Sequence, residues 1–184
     1  MDEKTIQLLD SERAALRIRG AMRQDYEYIR EGIVNAFCAI EPKAGKHFVL
    51  VRKRKTMKDF ALFVKKIVAA YPKAKTIHLV MDNLATHKEK ALIQSFGEIK
   101  GKELWNKITP HYSPKHASWL NQAEIEISMF SRTCIGKQRV ADIKILRQKD
   151  SAWTKHMNKN KVKINWGFTR RKARSKFKYK TGKN

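Results

Sequence analysis

Apolar residues along this chain fall into short runs whose spacing switches between strand-like and helix-like. Residues 32–40 (Gly-Ile-Val-Asn-Ala-Phe-Cys-Ala-Ile) form an apolar run closed by Glu41-Pro42, which predicts a buried strand. Lys43-Ala44-Gly45-Lys46 reads as a hairpin turn, because glycine tolerates positive φ, and residues 47–51 then predict a second, antiparallel strand. Over residues 56–71, Phe60, Phe63, Val64 and Val68 recur at helical spacing, with Ala61 and Ile67 beside them and lysines on the other face. Pro72 stops that helix. Residues 76–81 (Thr-Ile-His-Leu-Val-Met) suit a central strand buried on both faces. Asp82-Asn83 follows at once, and Thr86-His87-Lys88 is read as the start of a charged helix.

The second half continues in the same way. Residues 88–107 read as helical with interruptions at Gly97 and Gly101, and residues 107–112 predict a last short strand. The order before it, strand at 47–51, helix at 56–71 and strand at 76–81, implies a parallel crossover. Ser118 suits an N-cap. Beyond it Leu120, Ala123, Ile127, Phe130 and Cys134 recur at intervals of three and four, an amphipathic helix. A further helix is expected over about residues 140–157. Before all of these, residues 1–9 place an acidic pair ahead of a mildly β-prone run. Residues 11–31 are dense in arginine and lack a period, so they predict an irregular segment with Tyr26 and Tyr28 packed onto the body.

Charge narrows the functional classes. The 184 residues hold 41 Lys and Arg against 17 acids, a net +24, which points to a polyanion partner, most simply nucleic acid. The last 34 residues, 151–184, contain no acid and twelve Lys or Arg, interleaved near the end with Phe177 and Tyr179. The tail from Arg170 onward is read as a DNA-contacting or disordered arm. Hydrophobic residues make up 42% of the chain, enough for a single core. Cys38 and Cys134 stand far apart and read as free thiols of a reducing compartment. Lys65 and Lys66 break the most apolar window, so no membrane span is expected and the cytoplasm is the expected location.

The candidate chemistry lies in acids. Cleavage of a phosphodiester by two metal ions needs hard oxygen ligands from separate elements that meet at one sheet edge. Asp82 ends an apolar strand, where ligands of such sheets bind, although an Asp-Asn pair there can also simply cap the next helix. Glu124 and Glu126 flank the apolar stripe of their helix on opposite sides, so helical geometry allows only one of them into a shared site and does not say which. Each is equally readable as a solvated boundary glutamate. Asp2 is the third acid. His87, His111 and His116 are candidates to contact phosphate or orient water, and more plainly are solvated or hydrogen-bonded histidines. The sequence has no Gly-rich phosphate loop and no Cys/His zinc spacing.

Several segments together carry a family resemblance. They are Met-Asp-Glu-Lys-Thr-Ile-Gln at 1–7, Arg-Gln-Asp-Tyr-Glu-Tyr-Ile-Arg at 23–30 and His-Leu-Val-Met-Asp-Asn-Leu-Ala-Thr-His-Lys at 78–88. To these are added His-Tyr-Ser-Pro-Lys-His-Ala-Ser-Trp-Leu-Asn-Gln-Ala-Glu-Ile-Glu at 111–126 and Asn-Trp-Gly-Phe-Thr at 165–169. The chain resembles the catalytic domain of bacterial insertion-sequence transposases related to the mariner superfamily, DDE endonucleases with an RNase H-like fold. The resemblance implies an α/β domain with a mixed five-stranded sheet flanked by helices. It implies the catalytic, metal-binding triad Asp2, Asp82 and Glu124, which resolves the choice against Glu126. Two Mg²⁺ or Mn²⁺ ions are implied, with double-stranded DNA as partner, both transposon ends and target, and a homodimer assembled on that DNA.

The resemblance also sets the organisation. Residues 1–150 are expected to form the RNase H-like catalytic domain, with 151–184 a basic helix and tail continuous with it. The family carries a helix-turn-helix region ahead of this domain and an apolar strand running into the first aspartate; only Met1 precedes Asp2 here, so a truncated first strand is expected. Two other readings stand beside the transposase. One is an inactive or truncated remnant that only binds DNA, and the other is a different RNase H-like nuclease.

Overall fold

The computed structural model describes residues 1–13, 15–19, 21–23, 26–114 and 120–176. The central layer is an antiparallel sheet of β1 (Asp2–Ser11), β4 (Tyr28–Glu41) and β5 (Lys46–Arg52), in the order β1-β4-β5. Side chains alternate across a pleated strand. Val34, Ala36 and Cys38 of β4 therefore face one way with Ile6, Leu8, Val49 and Val51, while Phe37, Ala39 and Phe48 face the other. Both faces are apolar, so both are covered. On the Phe37 side lie α1 (Met57–Ala69), α2 (Glu89–Phe96) and α3 (Glu98–Asn106), supplying Phe60, Phe63, Leu92 and Leu104. On the other side Ile127 and Phe130 of α4 (Ala123–Phe130) and Leu146, Trp153 and Met157 of α5 (Ile143–Asn160) close a second core.

The expected turn and first helix form. Gly45 has φ +65, and a Cβ there would stand 2.4 Å from the Lys161 carbonyl carbon, so both conformation and close approach demand glycine. Thr56 caps α1, and Asp59 returns the bond to the Thr56 backbone in a capping box. Arg52 Nε also donates to Asp59 Oδ1 at 2.7 Å. Burial alone would raise the Asp59 pKa, but the bonds from Arg52 and Thr56 outweigh it and hold the carboxyl below its ordinary value. A depressed carboxylate contributes stability that is full above the unfolded value of about 3.9 and is lost as pH falls through the folded one. Arg52→Ala is expected to flatten that acid limb in pH-dependent urea melts. Thr56→Ala is expected to cost about 0.5–2 kcal/mol at neutral pH.

Four expectations need correction. No continuous five-stranded sheet forms among the described residues: β6 (Ile77–Met81) and β7 (Ile108–Tyr112) pair in parallel as a separate two-stranded sheet. The reason lies in the register, because the β1 ladder on β4 ends at the Asp2–Cys38 pair. β1 begins at Asp2, opposite Cys38, so nothing pairs with Ala39 or Ile40 on that side. A cavity of about 310 Å³ lies there, between residues 39–42 and 76–79. Secondly, the irregular segment expected over 11–31 is largely strand. β1 and β4 run on as a ribbon to Ser11 and Tyr28, and β2 (Leu16–Ile18) pairs with β3 (Ala21–Arg23). Positions 28–33 are all exposed, so backbone pairing left no apolar period to read. Tyr26 is 85% exposed rather than packed.

Thirdly, Thr86-His87-Lys88 precedes the helix, which starts at Glu89, and Gly97 alone divides α2 from α3. Gly101 lies inside α3 at the crossing of the two helices, where a Cβ would stand 2.5 Å from the Ile93 Cα. Gly101→Ala is expected to push the helices apart and cost about 1–3 kcal/mol, read as a lowered urea midpoint. Fourthly, the helix expected from Ser118 begins at Ala123, leaving Leu120 39% exposed, and it runs on into a π-helical turn at Ser131–Ile135. Ser118 itself, with His116 and Trp119, lies outside the described residues, as do Phe177 and Tyr179. α6 (Arg170–Lys176) is the last described element, and no described helix is long and apolar enough to cross a membrane.

Candidate active site

Three elements bring acids toward the edge where β1 begins and β6 ends. Asp2 opens β1, Asp82 follows β6 directly, and Glu124 sits in the first turn of α4. Period two along β1 sends Asp2 to the α4 side of the sheet with Ile6 and Leu8, and its neighbour Glu3 to the opposite side. Burial raises the Asp2 pKa most, a bond from the Glu3 N–H opposes this, and the charges of Glu124 and Asp82 raise it further. Asp82 and Glu124 therefore both lie within electrostatic reach of Asp2. Among the described residues, no group of three or more His, Cys, Asp or Glu side chains is arranged to hold a metal ion as it stands.

What holds the edge together is a set of bonds to Met1 and a buried histidine. The Met1 amine donates to the Val80 carbonyl, and burial lowers the pKa of that amine to about 6. Asn121, 3% exposed, donates from Nδ2 to the Met1 carbonyl at 2.8 Å, and its Oδ1 accepts from the Ala123 N–H at 3.2 Å. One amide thus ties the start of β1 to the start of α4, three residues before Glu124.

His87 is buried against the Phe60 ring, with centroids 4.6 Å apart. Its Nε2–H donates to Glu3 Oε1 at 2.7 Å, and Nδ1 lies 2.6 Å from Asp82 Oδ1 and 3.4 Å from the Asp82 carbonyl oxygen. The contact to Oδ1 is short but off the direction of the ring N–H, so that oxygen is buried without an aligned donor. Burial opposes charge on His87, yet the bond and charge of Glu3, with Asp82, hold the ring above its ordinary pKa.

The two glutamates of α4 separate sharply. Glu124 is exposed. Glu126 is fully buried, which corrects its reading as a solvated or flanking residue. His47 Nδ1 sits 2.9 Å from both Glu126 oxygens, and Nε2 donates to the Val162 carbonyl at 2.8 Å. Burial pushes the Glu126 carboxyl up; for His47 burial works downward, but the bond and charge of Glu126 keep the ring above its ordinary value. This pair links β5, α4 and the end of α5, and Asn158 adds bonds to both the N–H and the carbonyl of His47. It belongs to the scaffold.

His111 is placed elsewhere, against His78 on the exposed face of β6 and β7, with ring nitrogens 2.8 Å apart. Cys38 and Cys134 are free. Neither buried histidine pair was legible as such in the sequence, since the partners are 79 and 84 residues apart. The one available signal was strand alternation, which sends Glu3 away from Asp2.

Against known proteins, the profile of the DDE superfamily endonucleases matches residues 1–147. The chain belongs to that family. No curated protein and no solved structure matches it. The mixed α/β arrangement agrees with an RNase H-like domain. DDE superfamily enzymes are nucleases that act on DNA and generally use divalent metal ions.

Proposed function

We propose that the chain is the catalytic domain of a mariner-related insertion-sequence transposase, with Asp2, Asp82 and Glu124 as its catalytic and metal-binding residues. The observation that carries this is the convergence on Asp2: Asp2 opens β1, and Asp82 at the end of β6 and Glu124 in the first turn of α4 both lie close enough for their charges to act on it. The donor chemistry fits Mg²⁺ or Mn²⁺, which prefer carboxylate oxygen. Asp82 Oδ1 has no aligned hydrogen-bond donor although His87 lies beside it, and the neighbouring acids raise the Asp2 pKa, so a divalent ion there would relieve repulsion between carboxylates. Two such ions would supply an activated attacking oxygen and a stabilised leaving oxygen. The residues' own part is to present hard ligands from three elements, while Asn121 and the Met1 backbone fix where β1 and α4 begin.

Residues 1–150 form the catalytic domain on this reading, and residues 151–184 a basic extension along DNA. The +24 charge supports double-stranded DNA, both element ends and target, as the partner, with two copies acting together on it. The decisive assay is strand transfer: joining of a labelled cut end to target DNA in Mg²⁺ marks a transposase, and cleavage without joining marks another RNase H-like nuclease. A second reading, a DNA-binding protein that retains the fold but not the reaction, is favoured by the absence, among the described residues, of a ready-made ligand group. It predicts salt-sensitive DNA association with no metal-dependent product.

A further inference from the structure

β1 and β6 carry the two aspartates of the proposed site, yet no ladder joins them. Beside the Met1 amine on Val80, Glu3–His87–Asp82 forms a side-chain bridge from β1 to the segment that follows β6. Its central ring has little freedom. It is 1% exposed, stacked on Phe60, and its own carbonyl accepts the Tyr112 hydroxyl at 2.9 Å. Glu3 is also nearly buried, its side chain 9% exposed, so the bond at Nε2 is shielded from water. On the other side Nδ1 abuts Asp82 Oδ1, the buried oxygen, while the side chain as a whole is 32% exposed. One carboxylate oxygen is thus lodged against the imidazole, and the outward part of the group is left open.

We propose that His87, held by Glu3, is a positioning residue that fixes the Asp82 carboxylate relative to the strand carrying Asp2. The inference rests on the assignment of Asp82 as a ligand. Ligating carboxylates need partners of their own to hold a single orientation, and losing such a partner typically weakens metal binding about 10–100-fold. Glu3 acts at one remove. Its carboxylate is on the far face of β1 and reaches the site only through the ring.

The test is Mn²⁺ affinity of the full chain without DNA, by electron paramagnetic resonance, in variants shown to be folded by circular dichroism. His87→Ala and Glu3→Ala are expected to weaken Mn²⁺ binding about 10–100-fold. Glu3→Gln, whose amide oxygen still accepts from Nε2–H, is expected to recover most of that loss. Phe63→Leu loosens the same core away from the ring; it is expected to lower the melting temperature and leave affinity unchanged. Wild-type affinity in His87→Ala alongside loss in Asp82→Asn would overturn the inference alone. So would equal weakening in Phe63→Leu, or Glu3→Gln behaving as Glu3→Ala; the two Glu3 variants decide the matter if His87→Ala does not fold. Wild-type affinity in Asp82→Asn, or no Mn²⁺ binding by the unaltered chain, would remove the ligand assignment itself.

Discussion

Glu126→Ala is expected to cost about 3–5 kcal/mol of folding stability, whereas Glu124→Ala, two residues away, is expected to stay within about 0.5 kcal/mol of the unaltered chain. The difference lies in what each carboxylate touches. Glu126 has no exposed surface and holds His47 Nδ1 with both oxygens. Removing it leaves a buried ring nitrogen without its partner and a hole beside His47. His47 can shed its proton, which limits the loss, but the unpaired nitrogen and the hole remain. Much of the cost should be recoverable by replacing both partners with apolar residues of similar size, since a buried ion pair gains little over good packing. Urea denaturation of Glu126→Ala, His47→Leu and the double variant His47→Leu/Glu126→Met reads this directly. A double variant less stable than either single one would contradict it.

That contrast shows where sequence reasoning stopped. Helical spacing correctly set Glu124 and Glu126 on opposite flanks of the stripe, but periodicity describes one helix and says nothing of what stands opposite. His47 opens a strand 79 residues earlier, so the burial of Glu126 is a fact of tertiary packing. The elements themselves were legible where a face is buried: 47–51 and 56–71 carry apolar patterns that the cores enforce. Residues 76–81, expected to be buried on both faces, bury only Leu79 and Met81 and leave His78 and Val80 exposed, because β6 pairs with β7 alone among the described residues. The ribbon over 9–11 and 28–33 was not, because its side chains meet solvent and its pairing lies in the backbone. The separation of β6 and β7 from the other sheet was likewise outside the reach of local pattern. It depends on how far β1 extends beside β6.

The candidate site was legible as three acids at element ends, and the choice of Glu124 came from the family resemblance. Its supports, Asn121 on the Met1 carbonyl and His87 between Glu3 and Asp82, emerge only from the folded chain. Asp2 and Asp82 are linked through the Met1 amine on the Val80 carbonyl and through Glu3–His87–Asp82 rather than by a strand ladder.

The central claim is that Asp2, Asp82 and Glu124 act as one unit on DNA in the presence of a divalent ion. Loss of any one carboxylate should then remove nearly all of the rate, and effects should not add when two are lost together. Single-turnover cleavage of an end-labelled DNA duplex in Mg²⁺ or Mn²⁺, beside binding of the same duplex, is the most direct measurement. The expected result is metal-dependent cleavage by the unaltered chain, loss of at least about a thousandfold in both Asp82→Asn and Glu124→Gln, and unchanged DNA affinity. Metal-dependent cleavage that persists in both variants would contradict the account.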